Sequence, residues 1–198
     1  MKKIFTLFIL FISIITFAQP EQGAIRTKNG ILVFHQFEKE SYTLYLENDT
    51  NIDYFPLFNQ NGKTFQFRME DIHTMGFNPN HLLLDYMKWE SDYLIESMKG
   101  LTFSFNEIKN IQNRETNFWK LTFPKISNVE VSNPVKAMYF LDFSTDSKLF
   151  RLVYSSTVND NEEARHLLYN LYQNFKIYPD GIDFEKLINN VKKGINYY

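Results

Sequence analysis

The sequence predicts an α+β fold: a mainly antiparallel sheet with a long middle helix and two C-terminal helices packed on it. Three observations carry this. Short runs of alternating apolar and polar residues recur between clusters of turn residues, which is the pattern of half-buried antiparallel strands. Apolar residues at helical spacing appear over 81–99 and again after Asp160. Val135 to Phe175 reads without interruption as strand, turn, strand, helix, a hairpin with a helix to lay across it.

At the N-terminus, Met1-Lys2-Lys3 is positive, Ile4 to Phe17 is apolar, and Thr16-Phe17-Ala18 offers small residues at a cleavage site. This predicts a secretory signal peptide over 1–18, cleaved after Ala18, with no transmembrane span thereafter. Residues 19–29 are polar and expected to be loose, and 30–198 to form a single α+β domain. Ile31 to Phe37 and Ser41 to Glu47 are strands on either side of Glu38-Lys39-Glu40, hence a hairpin. Ile52 to Phe58 contains Pro56, which cannot donate to a ladder, so it is an edge strand or irregular. Asn61-Gly62 signals a type I′ turn, after which Phe65, Phe67 and Met69 alternate with Gln66 and Arg68.

Asn78-Pro79 opens the long helix, His81 to Lys99, which Gly100 stops. Leu83, Tyr86, Met87, Leu94 and Met98 line one side, and Leu82, Trp89 and Tyr93 widen the apolar surface. Leu101 to Phe105 and Trp119 to Phe123 alternate as half-buried strands. Val135 to Phe143 is apolar on both sides, a central strand covered twice. Its partner, Leu149 to Tyr154, is sided: Phe150, Leu152 and Tyr154 face one way and Arg151 the other. The next helix starts at Asp160 with Glu163 three residues on, and turns Ala164, Leu167, Leu168, Leu171, Tyr172 and Phe175 inward. After the turn Tyr178-Pro179-Asp180-Gly181, a last helix carries Phe184, Leu187, Ile188 and Val191.

Composition removes several function classes. With no cysteine, thiol chemistry, disulfides, cysteine zinc sites and a bacterial lipid anchor are excluded, and an exported chain must be held by its core alone. A formal net charge of −2 gives no electrostatic claim on nucleic acid. The 20 Phe and 12 Tyr suit an aromatic β core. There is no G-x-S-x-G elbow, S-x-x-K, H-E-x-x-H or P-loop, so no cofactor is expected. Asn159 to Glu163 lacks the ligand spacing and central Gly of a calcium loop and reads as a helix start.

The candidate chemistry is sparse. Glu70, Asp71 and His73 cluster just after a strand end, a place for general acid–base work set against an ordinary polar loop. Glu162 and His166 share a helix face with no further ligand indicated, so no metal is expected. His35 alternates with Ile31, Val33 and Phe37 and reads as a core histidine; His81 reads as exposed. Tyr42, Tyr45, Tyr54, Phe118, Trp119, Tyr197 and Tyr198 exceed what a deep core holds. Tyr42, Tyr45 and Trp119 are therefore candidates for a ligand or partner surface.

Lys148 to Tyr178 carries a family resemblance: Leu149-Phe150-Arg151-Leu152-Val153-Tyr154, the polar start at Asp160, Leu168, Leu171, then Asn174-Phe175-Lys176-Ile177. This resembles the Mog1/PsbP-like fold, an antiparallel sheet between helices, in which a last strand likewise enters a helix that ends in an S-F-x-F-like segment. Here Asn174 stands in place of the Ser, and the resemblance covers the last half of the chain. It implies a non-enzymatic envelope or accessory protein and carries over no functional residues. The reading is then an exported binding or accessory protein of the bacterial cell envelope, its partner an envelope protein or a small ligand. The alternative is a small periplasmic hydrolase or lyase using Glu70, Asp71 or His73.

Overall fold

The computed structural model describes residues 22–37, 40–47, 50–54, 56–124 and 134–192. The leader with its cleavage site, Tyr197 and Tyr198 lie outside the described residues, as do the side chains of Tyr54, Phe184 and Val191. Among the described residues no helix is long and apolar enough to cross a membrane. The chain divides into two compact units, Glu47–Asn174 and the paired segments Met1–Leu46 and Phe175–Tyr198.

The larger unit is built on a seven-stranded antiparallel sheet. Its strands are β4 (Thr50–Tyr54), β5 (Leu57–Gln60), β6 (Lys63–Asp71), β7 (Thr102–Ile111), β8 (Arg114–Thr122), β9 (Ala137–Ser144) and β10 (Lys148–Ser156). They lie in the order β4-β5-β6-β10-β9-β8-β7. The predicted hairpin β9–β10 is central, in register from Leu149 opposite Ser144 to Ser156 opposite Ala137. Pro56 falls between β4 and β5 at the sheet's edge, where its missing donor costs nothing, and its carbonyl accepts from the Phe67 amide. Asn61 and Gly62 both have positive φ, as the type I′ turn requires.

One face of this sheet is covered by α2 (Leu82–Ser97), entered through the short helix α1 (Ile72–Met75) and a 3₁₀ turn capped by Asn78. Beneath α2, Leu101, Trp119, Leu121, Phe140 and Val153 form a buried cluster that Met87, Leu94 and Ile95 close. The other face is covered by α3 (Asn161–Gln173), whose cap Asp160 accepts from the Glu162 and Glu163 amides. Its buried residues, Ala164, Leu168, Leu171 and Tyr172, sit over β9 and β10. Here one ring from each of six strands forms a ladder: Phe58, Phe65, Tyr154, Tyr139, Phe118 and Phe105, with neighbouring centroids no more than 6.1 Å apart. Such cross-strand pairs are the unit of sheet stabilisation, about 0.2–1 kcal/mol each.

The smaller unit is a four-stranded antiparallel sheet in the order β1 (Gln22–Arg26), β2 (Gly30–Phe37), β3 (Glu40–Glu47), β11 (Phe175–Tyr178). The last helix, α4 (Phe184–Lys192), adds Leu187 to a core with Leu32, Phe34, Tyr45 and Ile182. Gly30 must be a glycine for space, since a Cβ there would stand 2.1 Å from the Leu46 carbonyl oxygen. Two differences from expectation arise here. The stretch expected to be loose contains β1, which has little apolar signal because it is an exposed edge. Phe175 lies in β11 opposite Leu44 instead of closing the helix, since Asn174 ends α3 one residue earlier.

Candidate functional site

Of the expected acid–base group, Asp71 is tied into the local structure. Asp71 ends β6 and caps α1: Oδ1 accepts from the His73 amide at 2.9 Å, and Oδ2 sits 2.7 Å from Lys148 Nζ, its cross-strand partner. The Lys148 hydrogen bond first, then the His73 amide, hold the Asp71 carboxyl below its ordinary range. A general base working near neutrality needs the opposite shift. Glu70 and His73 are exposed.

The aromatic candidates for a surface are also placed differently. Trp119 is fully buried, stacked on Phe140 at 3.8 Å, because β8 is an interior strand with α2 above it. Tyr42 is buried at 2 % exposure, between Phe37 and Phe175, with its hydroxyl donating to the Glu40 carboxylate. Tyr45 is half-buried against Leu32 and Leu187. Amphipathic rings at alternating strand positions look the same in sequence whether the face they share is covered or open.

Under α2 lies a cluster of charge that strand alternation alone assigns to a polar face. Arg151 is fully enclosed and forks onto Asp142, Nε to Oδ1 at 2.6 Å and Nη2 to Oδ2 at 2.9 Å. Trp119 Nε1 donates to the same Asp142 Oδ2 at 2.7 Å. From α2, Glu90 brings Oε1 to 3.1 Å from Arg151 Nη1, an ion-pair distance outside hydrogen-bond geometry, and to 3.4 Å from Arg68 Nη1. The guanidinium lies 4.2 Å from the Tyr86 ring centre and 5.0 Å from that of Trp119. Burial pushes the Tyr86 hydroxyl up to about 12, so the ring stays neutral. The cluster ties α2 to β6, β9 and β10 in one register and rotation. A sequence signal for it exists: the inner stripe of α2 runs Leu83, Tyr86 and Glu90, all buried, to the half-buried Leu94, and a glutamate on an inner stripe demands a buried cation.

That rotation decides what α2 shows to water. Trp89 is 52 % exposed and Tyr93 58 %, stacked on one another one turn apart. Trp89 also stacks on Tyr86 and meets Phe77 edge-on, so the ring is held by its neighbours while about half of its surface stays in water. Asp85, Asp92 and Glu96 flank the pair along the helix, and Lys88 offsets Asp92 at 2.8 Å. The broad apolar spacing that widened the expected buried face therefore includes two rings that the sheet does not cover. An aromatic pair fixed in place and bordered by carboxylates can stack on, and neutralise, a cationic group.

No family model matches the chain, and no curated protein matches it in sequence. The chain is similar to the solution structure of cyanobacterial PsbP (CyanoP) from Synechocystis sp. PCC 6803, with a TM-score of 0.51 at 12% sequence identity. That likeness covers 83% of this chain and 95% of the cyanobacterial one. The chain has a PsbP-like fold, and the likeness extends well beyond the C-terminal half in which the sequence resemblance lies.

Proposed function

We propose that the protein is an exported, non-enzymatic binding or accessory protein of the bacterial cell envelope that engages a protein partner through the outer face of α2. The observation that carries this reading is the solvent-facing, mutually stacked pair Trp89 and Tyr93 on a helix whose other side is committed to the sheet. Tryptophan and tyrosine supply large contact area at low entropic cost, which is why they dominate binding hot spots. The flanking Asp85, Asp92 and Glu96 favour a partner that presents lysine or arginine side chains. The leader sequence supports export, and the PsbP-like resemblance supports an accessory role. Asp71, one of the three residues the hydrolase or lyase reading names, is spent on a cap and an ion pair.

The test is a pull-down from envelope extract with purified protein beside a Trp89→Ala/Tyr93→Ala variant. The native protein should retain a basic partner that elutes as salt rises, since exposed ionic contacts are screened within ~10 Å at 0.1 M. The variant should recover at least about tenfold less. Equal recovery by both forms, or no partner at any salt concentration, would rule the surface out.

A further inference from the structure

β7 is one margin of the seven-stranded sheet: among the described residues β8 pairs with it on one side and no strand on the other. It is ten residues long, and a long edge with unpaired backbone groups is a template for another strand. A register shift between Phe103 and Phe105 disturbs its start, and from Phe105 to Ile111 it runs regularly against β8. The two-residue loop Gln112-Asn113 closes on the pair Ile111 and Arg114. The Lys109 carbonyl is turned towards β8, where Thr116 Oγ1 donates to it at 3.0 Å. By the alternation of an antiparallel ladder, Asn106, Ile108 and Asn110 then turn their backbone N–H and C=O groups to the open side. All three residues are exposed, Ile108 by 40 %.

We propose that this edge pairs antiparallel with the β7 edge of a second copy of the chain, about a twofold axis at Ile108. A strand paired antiparallel with itself always sets one residue opposite its own copy, because facing residues share one hydrogen-bonding direction. Centring on Glu107 or Lys109 would set like charges face to face. Centring on Asn106 would put Glu107 opposite Phe105, and centring on Asn110 would put Lys109 opposite Ile111. Centring on Ile108 puts Glu107 opposite Lys109 of the second copy, and Lys109 opposite its Glu107. Glu107 already lies 2.9 Å from Lys109 of its own strand, so the two strands form a square of alternating charge. On the same face Phe105 meets Ile111 at either end. On the other face Ile108 meets its copy, and Asn106 meets Asn110, carboxamide to carboxamide. In this one register every side chain from Phe105 to Ile111 faces a matched one. The pairing uses neither Trp89 nor Tyr93, and neither reading depends on the other.

Sedimentation velocity of the purified protein over a range of concentrations should show a dimer that gives way to monomer on dilution. Lys109→Glu sets carboxylates opposite one another twice and should weaken the dimer at least about tenfold, with an unchanged far-ultraviolet circular dichroism spectrum. The absence of cysteine allows the register itself to be read. Under mild oxidation Ile108→Cys should link to its own copy, since facing Cα atoms of a hydrogen-bonded pair stand about 5.5 Å apart. Asn106→Cys should not link to itself, its copies standing about 14 Å apart along the strands, yet it should link when mixed with Asn110→Cys. Should Lys109→Glu not fold, the cross-linking series carries the test by itself. A monomer at every concentration, undiminished association of the folded Lys109→Glu variant, or Ile108→Cys linking no better than Asn106→Cys would overturn the proposal.

Discussion

Arg151 differs from the chain's surface arginines in having given up all contact with water, and what it gained is specific: a two-pronged bond to Asp142, the approach of Glu90, and the faces of Tyr86 and Trp119. Arg151→Met would leave Asp142 buried with its charge uncompensated, a loss of about 3–5 kcal/mol. Urea unfolding measures it directly. Asp71 is a gentler case. Its folded pKa is depressed by Lys148, so its stabilisation is complete above its unfolded pKa and is lost as pH falls through the folded value. Asn can still cap α1, so Asp71→Asn removes the ion pair alone. The stability gap between the two proteins is expected to be largest near pH 7 and to close below about pH 4, a course that unfolding curves at several pH values would trace. At this scale the sequence is least legible. Arg151 and Asp142 each read as one polar residue in a strand, and only their facing registers on β10 and β9 make them a pair.

Elements are legible where both the hydrophobic period and the turn chemistry are strong. The β9–β10 hairpin, the Asn61-Gly62 turn, the long helix ending before Gly100 and the Asp160 cap all appear as their residues imply. Where one signal is missing the element shrinks or vanishes in sequence. β7 and β8 run to Ile111 and from Arg114, far past the apolar alternation that announces them, because β7 is an edge whose polar residues face water. Their connection, Gln112-Asn113, takes positive φ at both residues without a glycine. Asn113→Gly relieves that conformation and should stabilise the protein by about 0.5–1 kcal/mol, read as a rise in the urea midpoint at constant slope. The helix face of α2 is a third case. A spacing broad enough to include Trp89 and Tyr93 cannot say which rings the sheet takes, and Glu90's ion pair decides it.

For the molecule as a whole, composition and pattern establish the class, an antiparallel α+β fold without cysteine, and the structure adds connectivity that no local signal carries. β6 pairs with β10 across the long span of sequence that holds α2, β7, β8 and β9, and β11 returns to pair with β3. That pairing is why one expected sheet resolves into a seven-stranded and a four-stranded one, α3 serving the first and α4 the second. α2 shields the inner sheet face while holding its own aromatic pair in water, and the chain's two tryptophans report on the two halves of that arrangement. Acrylamide quenching of the native protein should resolve one accessible and one protected tryptophan, and Trp89→Phe should leave only Trp119, blue-shifted and resistant to quencher. Ready quenching of Trp119 in that variant, or quenching unchanged by the substitution, would contradict it.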